Sequence, residues 1–203
     1  YLSNSSFGTE GVNNMFYHNG FLWLAERNIS SITKINLATN EKSAVVRDTD
    51  NLEYVLDLTI DSEGSIYSLS RPYGPYSSTT KICKWTSSGS LIFCNDSDIS
   101  YGTAITMYEA EDELFILQTS SSTTHRKIKV LDMNSLESKD KEFNYGNGVS
   151  SYHYSQDIDV DSDTGDIYVN YRNYDGLLRV FYRSPAGNYC ISDDSCYQQI
   201  SSG

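Results

Sequence analysis

Apolar and polar residues alternate along this chain in short runs, and the runs come in sets. Leu56-Asp57-Leu58-Thr59-Ile60-Asp61 and Ile158-Asp159-Val160-Asp161 have the period-two pattern of a strand with one buried face. The first strands are read as Met15-Phe16-Tyr17, Val55 to Asp61, Ala104 to Tyr108 and Asp157 to Asp161. After each comes a turn with Gly or Asp, then an aliphatic, an aromatic and another β-former. These second runs read Gly20-Phe21-Leu22-Trp23-Leu24, Gly64-Ser65-Ile66-Tyr67-Ser68-Leu69, Asp112-Glu113-Leu114-Phe115-Ile116-Leu117 and Gly165-Asp166-Ile167-Tyr168-Val169. A third apolar run follows at Ile32–Ile35, Ile82–Trp85, Ile128–Leu131 and Leu178–Phe181. The distance to it varies while its form holds, as when loops take up insertions on a fixed frame.

The aromatics at 23, 67, 115 and 168 are 44, 48 and 53 residues apart. A repeat of that length built of strands predicts β-propeller blades. The fourth strand of each set is fainter: Ala44-Val45-Val46, Leu91-Ile92-Phe93, a poor candidate near Phe143, and Tyr189-Cys190-Ile191. The expectation is an all-β chain, a propeller-like array of about four four-stranded antiparallel blades. It forms one domain over 1–203, with units near 11–50, 51–98, 99–146 and 147–200. No helix is predicted. The chain has three Pro and is rich in β-branched and aromatic residues, which suits strands.

Leu58-Thr59-Ile60-Asp61-Ser62-Glu63-Gly64-Ser65-Ile66-Tyr67 resembles the NHL-type propeller repeat. That repeat has an apolar position, Val-Asp, a Gly turn, then Ile-Tyr-Val. Asp159-Val160-Asp161-Ser162-Asp163-Thr164-Gly165-Asp166-Ile167-Tyr168-Val169 resembles it with an extra turn residue. The resemblance implies a propeller, commonly of six blades where four units are read here. Four units can close alone, leave an open array, or be part of a longer polypeptide. The resemblance also brings in metal-dependent lyases and lactonases as one functional class.

A chain of 203 residues is long enough to bury a real core. With 15 basic and 27 acidic residues and a net charge of −12, it lacks the clustered cations that a nucleic-acid surface needs. No run approaches the roughly 18 apolar residues of a membrane span. The first residue is Tyr1, so a mature or trimmed form is expected, with any targeting segment removed. Four Cys allow three pairings. The economical pattern is two local pairs, Cys83 with Cys94 across neighbouring strands and Cys190 with Cys196 around a short polar loop. Three N-x-Ser sequons, at Asn4, Asn28 and Asn95, mark candidate glycosylation sites. Together these point to an extracellular or secreted protein.

Candidate chemistry is sparse. Asp159, Asp161 and Asp163 occupy the spacing of the first three ligands of a Ca²⁺ loop. However, Thr164 stands where the loop needs Gly, and Asn170 where it needs Glu. Ordinary turn chemistry explains the same Asp residues, so no cofactor is expected, with Ca²⁺ at this loop a weak candidate. His18, His125 and His153 have no zinc spacing. There is no Gly-x-Ser-x-Gly elbow, and no catalytic residue is assigned. Tyrosines outside the repeat are the remaining feature: Tyr73, Tyr76, Tyr152, Tyr154, Tyr171 and Tyr174. Tyr buries area at little entropic cost and keeps a polar tip, which suits interfaces and sugar stacking. The expected function is an extracellular structural or adhesion module, not an enzyme, that binds other protein chains or its own copies. A glycan- or small-ligand-binding propeller, and a metal-dependent lyase or lactonase, are the alternatives.

Overall fold

A computed structural model describes residues 11–27, 29–72, 78–96, 99–119, 127–144, 154–172, 177–184 and 189–190. Among them, sixteen strands form four antiparallel sheets of four, each a meander in chain order. Sheet 1 holds β1 (Val12–His18), β2 (Phe21–Glu26), β3 (Ser31–Asn36) and β4 (Lys42–Arg47). Sheet 2 holds β5 (Val55–Ile60), β6 (Ile66–Ser70), β7 (Lys81–Trp85) and β8 (Leu91–Asn95). Sheet 3 holds β9 (Gly102–Tyr108), β10 (Glu113–Gln118), β11 (Lys127–Asp132) and β12 (Ser138–Asn144). Sheet 4 holds β13 (Tyr154–Val160), β14 (Ile167–Arg172), β15 (Leu177–Arg183) and β16 (Tyr189–Cys190). The chain divides into two compact units, residues 1–99 with sheets 1 and 2 and residues 100–203 with sheets 3 and 4.

In the first unit the β1–β2 connection is the two-residue turn Asn19-Gly20, with φ of 48° and 81°. Positive φ at both positions gives the twist that a tight hairpin needs. The hairpin sets the register Phe16↔Trp23, which fixes the ring's face. Trp23, Ala25, Ile32 and Val46 of sheet 1 then pack on Leu58, Ile60, Ile66 and Trp85 of sheet 2. Burying each Leu or Ile contributes about 1.5–3 kcal/mol. The Trp85 indole N–H is satisfied in this core by Ser68 Oγ at 2.9 Å. Cys83 and Cys94 pair across β7 and β8 and form a disulfide.

The second unit repeats the scheme. Phe115, Leu117, Ile128, Val130 and Phe143 of sheet 3 pack on Ile158, Ile167, Val169, Phe181 and Tyr189 of sheet 4. The Tyr189 ring stacks on Phe143 at 4.9 Å and meets Phe115 edge-on at 5.7 Å. In both units, therefore, the face that carries the repeat aromatic (the front) packs on the opposite face (the back) of the next sheet. Trp23, Tyr67 and Phe115 are buried, and Tyr168 is half-buried.

Three details depart from the pattern read along the chain. The first strands of sheets 1, 3 and 4 start earlier than read, at Val12, Gly102 and Tyr154, while β5 starts at Val55 as read; each of the four contains a bulge, where one residue, Asn13, Leu56, Thr103 or Gln156, has no counterpart in the register of the second strand. A bulge sharpens local twist and lets polar residues continue the strand. The weak fourth run near Phe143 is a seven-residue strand, β12. It is polar because it is an outer strand, and Phe143 joins the core. A 3-10 turn, Glu109–Glu111, joins β9 to β10.

Candidate interaction surface

The residue after each bulge is Asn14, Asp57, Ala104 or Asp157. Three of them use a side-chain oxygen to accept the next amide: Met15 N at 2.7 Å, Leu58 N at 2.7 Å and Ile158 N at 2.9 Å. In the first unit Asn14 Nδ2 also donates to Asp57 Oδ1 at 2.6 Å, and Asn13 Nδ2 donates to the Val55 carbonyl. These bonds tie β1 to β5 and rigidify the inner edge of the unit. In the second unit Ala104 has no such group. The Asp157 carboxyl is held above the usual carboxylate range. Partial loss of hydration disfavours its charged form and outweighs the Ile158 amide, and the Asp159 carboxylate adds to the effect.

The bulges also align the four first strands residue for residue. Met15 corresponds to Leu58, Ile105 and Ile158, each lying beside the residue opposite the repeat aromatic. Leu58, Ile105 and Ile158 are 2%, 3% and 4% exposed, whereas Met15 is 61% exposed. Tyr17, the counterpart of the buried Ile60 and the half-buried Met107 and Val160, is 64% exposed. Leu22 is half-buried where Ile66, Leu114 and Ile167 are fully buried. All three lie on the back of sheet 1, so this sheet shows water the positions that form core elsewhere. Leu91 and Ile92 on β8 are also exposed. There the register slips at Ile92, which interrupts the straight ladder an incoming strand would need.

In the second unit, a polar cluster closes the end of the inter-sheet core. Glu113 is buried; its Oε1 accepts from Lys141 at 2.7 Å and its Oε2 from the Tyr189 hydroxyl at 3.2 Å. Burial, and then the Glu113 charge, hold the Tyr189 phenol well above its ordinary range, so it acts as a hydrogen-bond donor. Arg183 pairs with Glu111 at 3.0 Å and lies over the Tyr108 ring at 4.9 Å. The cluster is fully paired and holds the two sheets together.

Few of the residues singled out in the sequence are brought together. Tyr73, Tyr76, Tyr152, Tyr174, Asn4, Asn28, Cys196, His125 and His153 lie outside the described residues. Tyr154 and Tyr171 sit on β13 and β14, opposite Arg172 and Ser155. Asn95 ends β8 and is half-buried. Cys190, on β16, is disulfide-bonded. Asp161 Oδ1 accepts the Asp163 and Thr164 amides at 2.8 and 3.0 Å, and Asp159 Oδ1 accepts the Val160 amide. Asp61 plays a similar turn role for Ser65. Among the described residues no three His, Cys, Asp or Glu converge as a metal site. His18 Nε2 lies 2.8 Å from Asn19 Nδ2 at the exposed hairpin. Nothing in the sequence marks the open patch of Met15, Tyr17 and Leu22, because each residue fits an ordinary core strand. Only comparison with its counterparts in space exposes it.

No family model matches the chain, and no curated protein does. Solved structures do. The chain is similar to the WD40 repeats of RRP9, with 14% identity and a TM-score of 0.62, covering 91% of this chain and 52% of that one. It is similar to U3-55K, with 14% identity and a TM-score of 0.56, covering 88% and 54%. A Lactobacillus plantarum protein matches with 12% identity and a TM-score of 0.59, covering 90% and 54%. At such identities the likeness shows the fold: these four-stranded sheets are β-propeller blades. The chain spans about half the length of the solved structures it matches.

Proposed function

We propose that this chain is an extracellular protein-interaction module, a stiff set of propeller blades that binds other protein chains within a larger assembly. The observation that supports this most directly is the back of sheet 1. Met15 and Tyr17 lie open at positions whose counterparts are core, and an apolar aromatic patch on a rigid frame is what a protein interface uses. The Asn14–Asp57 bridge and the inter-sheet core order the patch before a partner arrives, so binding loses little side-chain entropy. The Cys83–Cys94 disulfide and the Asn95 sequon support an oxidising, secretory route. The NHL-type runs around Asp61 and Asp161 are the family reading that goes with it.

A photo-crosslinking residue placed at Tyr17, in material made by the native cells, tests the interaction. A discrete protein adduct is expected. Adducts that disappear on glycosidase treatment, with hits on a glycan array, would replace the reading with a lectin. A loss of mass on enzymatic removal of N-glycans, mapped to Asn95, tests the compartment separately.

A further inference from the structure

We propose that Asn19 is a self-modifying site. Its side-chain amide is lost by attack of the Gly20 amide nitrogen, with His18 assisting, which leaves aspartate and isoaspartate in the β1–β2 turn. Among the described residues, Asn19 is the only Asn that Gly follows. Elsewhere the Cβ of the following residue crowds the approach of its nitrogen to the Asn carboxamide. At Gly20 there is none, and a Cβ built there would meet nothing within 4 Å, so the turn has room to bring the two groups together. The Gly20 carbonyl accepts from the Leu37 amide at 3.1 Å, whereas its own amide makes no hydrogen bond among the described residues. The nucleophile is therefore free to react. The carboxamide is free as well. Asn36 Oδ1 accepts the Ala38 and Thr39 amides, and Asn51 Nδ2 donates to Asp48, but Asn19 meets only the neighbouring imidazole. Asn19 and Gly20 are both exposed, so water reaches the reacting bond.

The leaving group is also placed. Asn19 Nδ2, the atom that must depart, lies 2.8 Å from His18 Nε2. Imidazole is the side chain best suited to move protons at neutral pH. In the first step the Gly20 nitrogen bonds to Asn19 Cγ and gives its proton to water. The His18 imidazolium donates a proton to Nδ2, the Cγ–Nδ2 bond breaks, and ammonia leaves. The imidazole then takes a proton back from water, so the first step ends with a succinimide ring and an unchanged His18. In the second step water opens the ring. Cleavage at Cγ gives aspartate. Cleavage at the main-chain carbonyl carbon gives isoaspartate, which adds a methylene to the chain path. Either product puts a new negative charge on the hairpin. The longer one no longer fits the two-residue turn that sets the Phe16↔Trp23 register.

Ageing the purified chain in heavy-oxygen water at neutral pH, followed by peptide mapping with electron-transfer fragmentation, decides it. Residue 19 is expected to convert with uptake of heavy oxygen, and isoaspartate is expected among the products. Mapping separates this position from Asn147-Gly148, which lies outside the described residues. Gly20→Ala should suppress conversion at residue 19. His18→Ala should slow it about tenfold, less than a buried acid–base group supplies. His18→Gln, which keeps a polar side chain without an acid of suitable strength, should be slowed as much. Wild-type circular dichroism in these variants shows that the fold is kept. An Asn19 that holds its amide as long as Asn134 does, aspartate formed without isoaspartate, or an unchanged rate in both His18 variants overturns the inference.

Discussion

At the scale of single residues, the turns show how close neighbours set what a position tolerates. Gly89 has φ +87°, and a Cβ there would lie 1.9 Å from the Val45 carbonyl oxygen, a backbone atom that cannot swing aside. Gly20 has φ +81°, and a Cβ there would meet nothing within 4 Å. Gly20→Ala should therefore cost about 1 kcal/mol, the left-handed penalty alone. Gly89→Ala should cost about 3 kcal/mol or more, because the β7–β8 turn must move off β4. Urea midpoints of the two variants check the order, and equal costs would refute it. Asp157 gives a second test. Its folded-state pKa is raised, so ionising it costs stability once pH rises above the ordinary carboxylate value of about 4. Asn is the natural residue at the matching bulge, where Asn14 Oδ1 accepts the next amide. Asp157→Asn should then stabilise the protein at pH 7, by less than about 1 kcal/mol because the side chain is exposed and screened. The gain should vanish near pH 3, where Asp is protonated in both states. A gain that persists unchanged at pH 3 would point to packing instead of charge.

At the scale of elements, the outer strands depend on how they are fastened. β8 pairs with β7 on one side and carries Leu91 and Ile92 in the open, so little burial holds it. The Cys83–Cys94 disulfide closes a loop with a sequence separation of 11 and restricts the unfolded chain. Replacing both Cys with Ala should lower stability by about 2–3 kcal/mol. Hydrogen exchange should show the β8 amides losing protection before those of β6. Uniform loss across sheet 2 would mean that the disulfide supports the whole sheet. The strands of the core are legible in the sequence for a physical reason: a buried face forces period-two alternation, as in Leu58-Thr59-Ile60, and a fixed ring such as Trp23 or Phe115 recurs because the next sheet leans on it. β12 is faint because an outer strand is solvated on most sides, leaving Phe143 as its one apolar signal. The bulges at Asn13, Leu56, Thr103 and Gln156 are not legible, since they arise from pairing and carry no Gly or Pro marker. The open corner at Met15 and Tyr17 is hidden for the opposite reason. Its residues are those of a core strand, and only the missing neighbour distinguishes them.

At the scale of the whole molecule, charge and apolar surface oppose each other. A chain of net charge −12 and pI near 4.5 repels its own copies at neutral pH, which favours solubility. Met15, Tyr17 and Leu22 on the back of sheet 1 carry no charge. If copies associate through this patch, salt should strengthen the contact. Screening shortens the reach of the repulsion from about 30 Å at 0.01 M to about 8 Å at 0.15 M ionic strength and leaves apolar burial in place. Such self-association should be about tenfold tighter at 0.5 M than at 0.01 M NaCl. It should tighten further as pH falls toward the pI, where the copies cease to repel. An interface built on ion pairs would do the reverse and loosen as salt rises. The sign of the salt dependence, read by sedimentation across that range, therefore separates apolar docking from charge pairing without knowledge of any other partner.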